Sequence, residues 1–261
     1  MESIALRHAK NYRDLGGIKT TTGKVLKKRM LLRGTDLSKI KGSDIIRLKQ
    51  EYNLKTIIDL RTRKEAAEKP DCKIDGVNYN LMPIFGEAVI GISHEKKVHS
   101  IKSLVSLPPM ELLYKQMVSP ESLDNITAVL KKILLLPEDE FSVVFHCSAG
   151  KDRTGIIAAL ILIFLGADRQ SVIEDYLYTN KGKRLKAQLA YFGSVVLKLS
   201  RSFARKVKNY LLADEAYIQA SLSVIESKYG SLKNYFDTEL KFTDDEVSQI
   251  KEKFLEPEPS V

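Results

Sequence analysis

The chain is expected to fold as a single α/β domain, residues 1–261, with a central, mostly parallel sheet flanked by helices and a helical C-terminal third. Three observations predict it. Short β-branched runs alternate with helical patterns through the first two thirds, as in strands joined by crossover helices. One run, Thr56-Ile57-Ile58-Asp59-Leu60, has the apolar character of a strand covered on both faces. From Asp168 onward the pattern is helical.

The elements follow in order. Val25 to Arg33 reads as one strand, and Ser43 as the N-cap of a helix over Asp44 to Glu51. After the Thr56 strand, Lys64 to Glu68 makes short helical turns before Pro70, and Val77 to Met82 is a further strand. Phe85 to Leu107 has no clear period and reads as a lid or substrate loop. Helices are expected over Met110 to Val118 and Ser122 to Leu136, a strand over Phe141 to Phe145, and an almost wholly apolar, buried helix over Arg153 to Leu165. Gly230 is placed to end a helix over Asp214 to Tyr229, and Thr243 with Glu246 forms a capping-box pattern opening the last helix. The tail from Glu256 is expected to fray.

The net charge of +9 favours anionic partners such as phosphoesters or lipid headgroups. With no Trp and no interleaving of aromatic and basic residues, nucleic acid is not expected among them. Two cysteines, Cys72 and Cys147, exclude a disulfide framework and a multi-cysteine zinc site, and neither metal nor cofactor is expected. Residues Met1 to His8 lack the apolar core of a signal peptide. The longest apolar run, Ile156 to Leu165, falls short of the roughly 20 residues that span a bilayer, so a cytoplasmic location is expected.

The segment His146-Cys147-Ser148-Ala149-Gly150-Lys151-Asp152-Arg153-Thr154-Gly155 carries the chemistry. It joins a buried strand to a buried helix, where α/β proteins bind ligands. Such a loop turns backbone N–H groups inward as an anion cradle, and the helix N-terminus adds positive potential. That field favours thiolate over thiol at Cys147, and the thiolate is the nucleophile. Arg153, on the first helical turn, can grip two phosphoryl oxygens with its planar fork. Ser148 to Arg153 are the expected phosphate ligands, phosphate or sulfate the expected occupant, and Asp152 the leaving-group acid. An isolated Cys at a strand end is usually packing; the Arg at this spacing and the flanking His and Thr-Gly favour chemistry.

This loop matches the HCxxGxxR(S/T)G signature of the protein tyrosine phosphatases, and its Gly150-Lys151-Asp152-Arg153-Thr154 form resembles the atypical bacterial tyrosine and lipid phosphatases of the LipA type. Asn11-Tyr12-Arg13-Asp14-Leu15-Gly16-Gly17, Leu32-Arg33-Gly34, Ile58-Asp59-Leu60-Arg61-Thr62 with Glu65 and Pro70-Asp71, and Asp175-Tyr176-Leu177 with Asn180 resemble that family's blocks, in its order. The resemblance implies a metal-free, two-step hydrolysis through a cysteinyl-phosphate, with phosphotyrosine, phosphoserine/threonine or phosphoinositide as substrate. It also implies Asp152 as acid in place of the absent Trp-Pro-Asp loop, with Asp59 as rival. Lys151 would serve a second phosphate or stand as a rim charge. His146 would orient the cysteine backbone or pack at the strand end, Thr154 would hydrogen-bond near the thiolate or simply start the helix, and Asp59, if not the acid, would be a buried partner of Arg61 or Arg13.

Lys198, Arg201, Arg205 and Lys208 share one helix face and offer weak contact with an anionic membrane. Cys72 could form a protective disulfide with Cys147 only if the fold brings them together. A monomer is expected. The alternatives are a phosphoinositide-specific phosphatase, a non-catalytic phospho-binding module and a sulfur- or arsenate-handling enzyme.

Overall fold

The computed structural model describes residues 1–85, 108–181, 187–192 and 201–258. Six strands form the main sheet: β1 (Glu2–Ser3), β2 (Arg13–Asp14), β4 (Leu31–Gly34), β5 (Thr56–Asp59), β6 (Asn78–Leu81) and β7 (Val143–His146), in the order β1-β2-β4-β7-β5-β6. From β4 to β6 the pairs are parallel, and only β1 and β2 join antiparallel. A separate pair unites β3 (Lys24–Leu26) with β8 (Leu255–Pro257).

The central strands are buried along their whole length, and their side chains divide by alternation. Leu31, Ile58, Val143 and Phe145 enter the larger core. Leu32, Ile57 and Val144 enter a smaller one, with Tyr12, Leu48 and Leu54, on the other face. The larger core is filled by helices: α3 (Met110–Gln116), α4 (Pro120–Leu134), α5 (Asp152–Phe164), α6 (Arg169–Tyr178) and α8 (Glu215–Tyr229). Among these, α5 buries every residue from Asp152 to Leu162, as its lack of a polar face requires. The register sets Gly34 and Asp59 abreast of His146, so the carboxyl ends of β4, β5 and β7 open onto one place.

Three expectations need correction. Val25 to Arg33 is two strands in different sheets, because Arg29 turns the chain at φ 63° while the carboxylate of Asp14 accepts its backbone N–H at 2.7 Å. The helix α1 (Ser43–Ile46, continued as a wider turn to Glu51) is preceded by Gly42, with no side-chain cap. Its Asp44 instead accepts the backbone N–H groups of Arg7 and His8 at 2.8 and 2.9 Å. The tail does not fray at Glu256: Glu256 and Pro257 pair with Val25 and Lys24. The short helix α2 (Arg63–Glu68) and the last helix, α10 (Asp244–Phe254), both open with capping boxes, Thr62/Glu65 and the expected Thr243/Glu246. Two further helices, α7 (Arg201–Leu211) and α9 (Leu232–Tyr235), flank α8, which ends at Gly230 with φ 82° as expected. Apart from Phe85, the presumed loop Phe85 to Leu107 lies outside the described residues. Among the described residues no helix is long and apolar enough to cross a membrane.

The closing strand hangs on Phe254, which is buried edge-on against Phe141 with ring centroids 5.1 Å apart. Phe254→Ala should cost about 3–5 kcal/mol, read as a lower urea midpoint with unchanged slope.

Candidate active site

The loop between β7 and α5 runs from Cys147 to Lys151, and α5 begins at Asp152. The first-turn amides of a helix have no partner within it, so those of α5 add to the loop's own N–H groups as donors for an anion. Gly150 makes the tight passage possible. It sits at φ +61°, and a Cβ there would meet the carbonyl oxygen of Gly34 at 2.4 Å. Cys147 lies at the floor, 2% exposed, beside the end of the larger core.

Behind the loop lies a buried ionic network. Asp175 of α6 accepts from Arg13 Nε at 2.6 Å through one carboxylate oxygen and from Arg33 Nη1 through the other. Arg13 Nη2 reaches the Asp175 carbonyl at 2.8 Å, and Arg33 Nη2 the Gly150 carbonyl at 3.2 Å. Asn11 completes the set: its Oδ1 accepts from Arg13 at 2.8 Å, and its Nδ2 donates to Gly150 O at 2.7 Å. Burial would raise the Asp175 carboxyl, yet the two guanidinium groups hold it below its ordinary value. Arg33 is pulled down to about 10, first by burial and then by the charge of Arg13, against the opposing pull of Asp175 and Cys147.

In front, Arg153 is held end-on by Glu65, Nη1 to Oε2 at 2.7 Å and Nη2 to Oε1 at 2.8 Å. The same carboxylate accepts the Thr62 backbone N–H at 2.8 Å, so the capping box that starts α2 also fixes the guanidinium. The Phe85 ring lies 6.0 Å from the guanidinium carbon.

To one side, Arg61 binds both oxygens of Asp59 and reaches Asp71 at 3.0 Å. Tyr79 adds a bond to Asp59 at 2.7 Å. Burial alone would raise the Asp59 carboxyl, but His146 and Arg61 bring it below its ordinary value. Asp59 is therefore an anion in an ion pair and is poorly suited to donate a proton. His146 is wholly buried with Nε2 2.8 Å from Asp71 and Nδ1 3.3 Å from the Cys147 carbonyl. Burial works against its protonation, but Asp71 and Asp59 together raise its pKa. Asp59, Asp71 and His146 lie close enough to hold a cation, but Arg61 already fills that role.

Asp152 is 3% exposed and accepts a hydrogen bond from Tyr114, whose hydroxyl lies 2.6 Å from that of Tyr176. Burial first, and the Asp152 charge next, hold both phenols well above their ordinary pKa, so they stay protonated. Lys151 corrects an expectation. Its side chain is no rim charge: Nζ is buried, donates to the carbonyls of Tyr210 and Leu212 at 2.7 and 3.2 Å at the end of α7, and lies 3.5 Å from the Asp152 carboxylate. The Thr154 hydroxyl is buried with no hydrogen-bond partner among the described residues, not bonded near the thiolate as expected. Both cysteines are free, and the half-buried Cys72 thiol leans on the Lys73 carbonyl at 3.5 Å.

Glu65, Arg33 and Asp175 entered the sequence reading only within family blocks, Arg13 also as a possible partner of Asp59, where the structure has Arg61 instead and Arg13 on Asp175, and Tyr114 not at all. Glu65 had a usable signal, the spacing of Thr62 and Glu65 before a helix. Tyr114 had none, since an inward tyrosine on an amphipathic helix reads as core.

A cysteine at the head of a strand-to-helix loop, with a clamped arginine on the first turn of the helix that follows, is the arrangement of the cysteine-dependent phosphatases. The model of the tyrosine phosphatase family matches residues 4–256, and the chain belongs to that family. It is 25% identical over 253 residues to a Cupriavidus necator protein named as a tyrosine-protein phosphatase, covering 97% of this chain and 88% of that one. To the triple specificity protein phosphatase PtpB of Mycobacterium tuberculosis it is 24% identical, over 86% of this chain and 89% of the relative. A tyrosine-protein phosphatase of Nostoc commune is 30% identical over 148 residues, 56% of this chain and 46% of the relative.

The depressed Asp59 carboxyl has a pH signature. Its stabilisation is complete above the ordinary carboxyl pKa of about 3.9 and is lost as pH falls through the lower folded-state value. Between neutral pH and about pH 3, the unfolding midpoint of Asp59→Asn should therefore fall less steeply than that of wild type.

Proposed function

We propose that the chain hydrolyses phosphomonoesters, phosphotyrosine above all, through a cysteinyl-phosphate intermediate. The observation that carries this reading is Arg153, fixed by two bonds to Glu65 on the turn that follows the Cys147 loop. In the first step the Cys147 thiolate forms an S–P bond as the ester P–O bond breaks, and Asp152 gives its proton to the departing oxygen. The amides of Ser148 to Arg153 and the Arg153 guanidinium take the equatorial oxygens. In the second step water attacks phosphorus and Asp152 takes back a proton. The products are inorganic phosphate and the free thiolate. Asp152 is favoured over Asp59 because it adjoins Arg153 at the mouth of the loop, whereas Asp59 is bound on both oxygens by the Arg61 guanidinium. The Tyr114 bond and the Lys151 ammonium at 3.5 Å hold the Asp152 carboxylate in place but also stabilise its anion, so the reading asks that substrate binding redirect or protonate the carboxyl.

Phosphoserine/threonine and phosphoinositide substrates belong to the same reading, since a relative bears the name of a triple specificity phosphatase. Exposed Arg205 and Lys208 on α7 are the described part of the basic face proposed for anionic membrane contact. Lys198 and the Arg201 side chain lie outside the described residues. The working unit is one domain and a monomer.

Cys147→Ser should abolish release of phosphate from an aryl phosphate, and Arg153→Ala should lower kcat/KM by about a thousandfold, with EDTA without effect. Activity surviving in Cys147→Ser would refute the nucleophile, and phosphate binding without turnover in wild type would mark a binding module.

Asp152→Asn should slow alkyl phosphates by about a hundredfold and aryl phosphates with good leaving groups far less. An equal loss with both would take the proton-donor role from Asp152.

A further inference from the structure

Asn11 occupies a left-handed backbone conformation, φ 58°, which asparagine and glycine tolerate better than most residues. Its side-chain orientation is settled by its neighbours. Arg13 Nη1 can only donate, so the amide edge facing it at 2.8 Å is Oδ1, and Nδ2 faces the loop. Nδ2 lies 2.7 Å from the Gly150 carbonyl oxygen, 3.4 Å from that of Ala149 and 3.3 Å from Thr179 Oγ1. The Gly150 carbonyl takes a second bond from buried Arg33 at 3.2 Å. Side chains from the N-terminal segment and from β4 thus hold two consecutive loop carbonyls from behind.

A trans peptide points its C=O and the N–H of the next residue in opposite directions. Carbonyls of Ala149 and Gly150 held outward therefore turn the N–H groups of Gly150 and Lys151 toward the interior of the loop. A loop containing a glycine at positive φ has other peptide orientations within reach, and each would swing a carbonyl oxygen toward the bound anion.

We propose that Asn11, acting with Arg33, is a positioning residue for the oxyanion site: it anchors the Ala149 and Gly150 carbonyls and so aims the Gly150 and Lys151 amides at the phosphoryl oxygens. The inference rests on the phosphatase reading of the loop and adds to it a residue more than a hundred positions away in the chain. Arg13 belongs to the same device, because it fixes which way the Asn11 amide faces.

The test uses the full chain with inorganic phosphate as the probe, in calorimetric titration, and an aryl phosphate for turnover. Asn11→Asp keeps the shape, the backbone preference and the Arg13 contact, but sets an acceptor against the loop carbonyls. Asn11→Gly keeps the left-handed turn and removes the donor without adding charge. Both should weaken phosphate binding by about tenfold and lower kcat/KM at least as much, with unfolding midpoints close to wild type. Arg13→Lys should show a smaller loss in the same direction. If Asn11→Gly binds phosphate like wild type, the proposal is overturned, also where Asn11→Asp alone is impaired, since that pattern reports only an added negative charge. Asn11→Gly keeps the test decisive should Asn11→Asp fail to fold. Wild type that neither binds phosphate nor turns over would overturn the phosphatase reading itself, a result distinct from a silent Asn11 variant.

Discussion

The carboxylate of Asp175 is almost fully buried and carries two arginines, Arg13 and Arg33, that are wholly removed from water. Placing three charges there would be costly if any were left without partners. The carbonyls of Asn11, Asp175 and Gly150 take further guanidinium N–H groups. The Arg33 Nε finds no such partner among the described residues. Two cations against one anion leave a surplus of positive charge behind the phosphate loop, where low polarity makes it act over distance. Arg33 feels Cys147 through that space, and the Gly150 loop rests on Arg33 directly. The cluster joins β2, β4, α6 and the loop, so the site and the fold share one set of contacts.

The loop is thus gripped from two sides by different means. From behind, donors hold its carbonyls. From the front, Glu65 fixes the arginine that closes it, and Glu65 is itself fixed as the third residue of a capping box. Neither grip depends on the loop's own sequence beyond Gly150 and Arg153. The register of β4 and β5 against β7 brings both grips to the same end of the sheet. Tyr12, against whose ring any Cβ at Gly34 would come within 2.4 Å, shows how closely the neighbouring strand end is packed to keep that alignment.

Much of this was legible before the structure. The strand at Thr56, the buried α5, both helix ends named from Gly230 and Thr243, and the Cys147 to Arg153 loop follow from patterns that act over a few residues. The single strand over Val25 to Arg33 failed because apolar content does not reveal a turn made by Arg29 at positive φ and held by Asp14, fifteen positions earlier. The tail at Glu256 looked frayed because its partner, Lys24 to Leu26, lies at the other end of the chain. Lys151 misled for a related reason. Position in a phosphate loop suggests a ligand, while the carbonyls that take up its ammonium belong to a helix about sixty residues later.

That last case generalises within this molecule. Arg61, Lys151, Arg33 and Arg153 are all buried cations near one loop, and residue type does not separate them. What separates them is the group that neutralises each. Arg61 meets two carboxylates and is a fastening. Lys151 meets two backbone carbonyls and the Asp152 carboxylate, and joins α7 to the loop. Arg33 shares one carboxylate with Arg13 and contributes surplus charge. Arg153 is held end-on by Glu65 through Nη1 and Nη2, which fixes the plane and direction of its guanidinium. In the proposed reaction an anion entering the loop meets a prearranged field with little protein left to reorganise, the condition under which electrostatic stabilisation of a phosphoryl transition state is most effective.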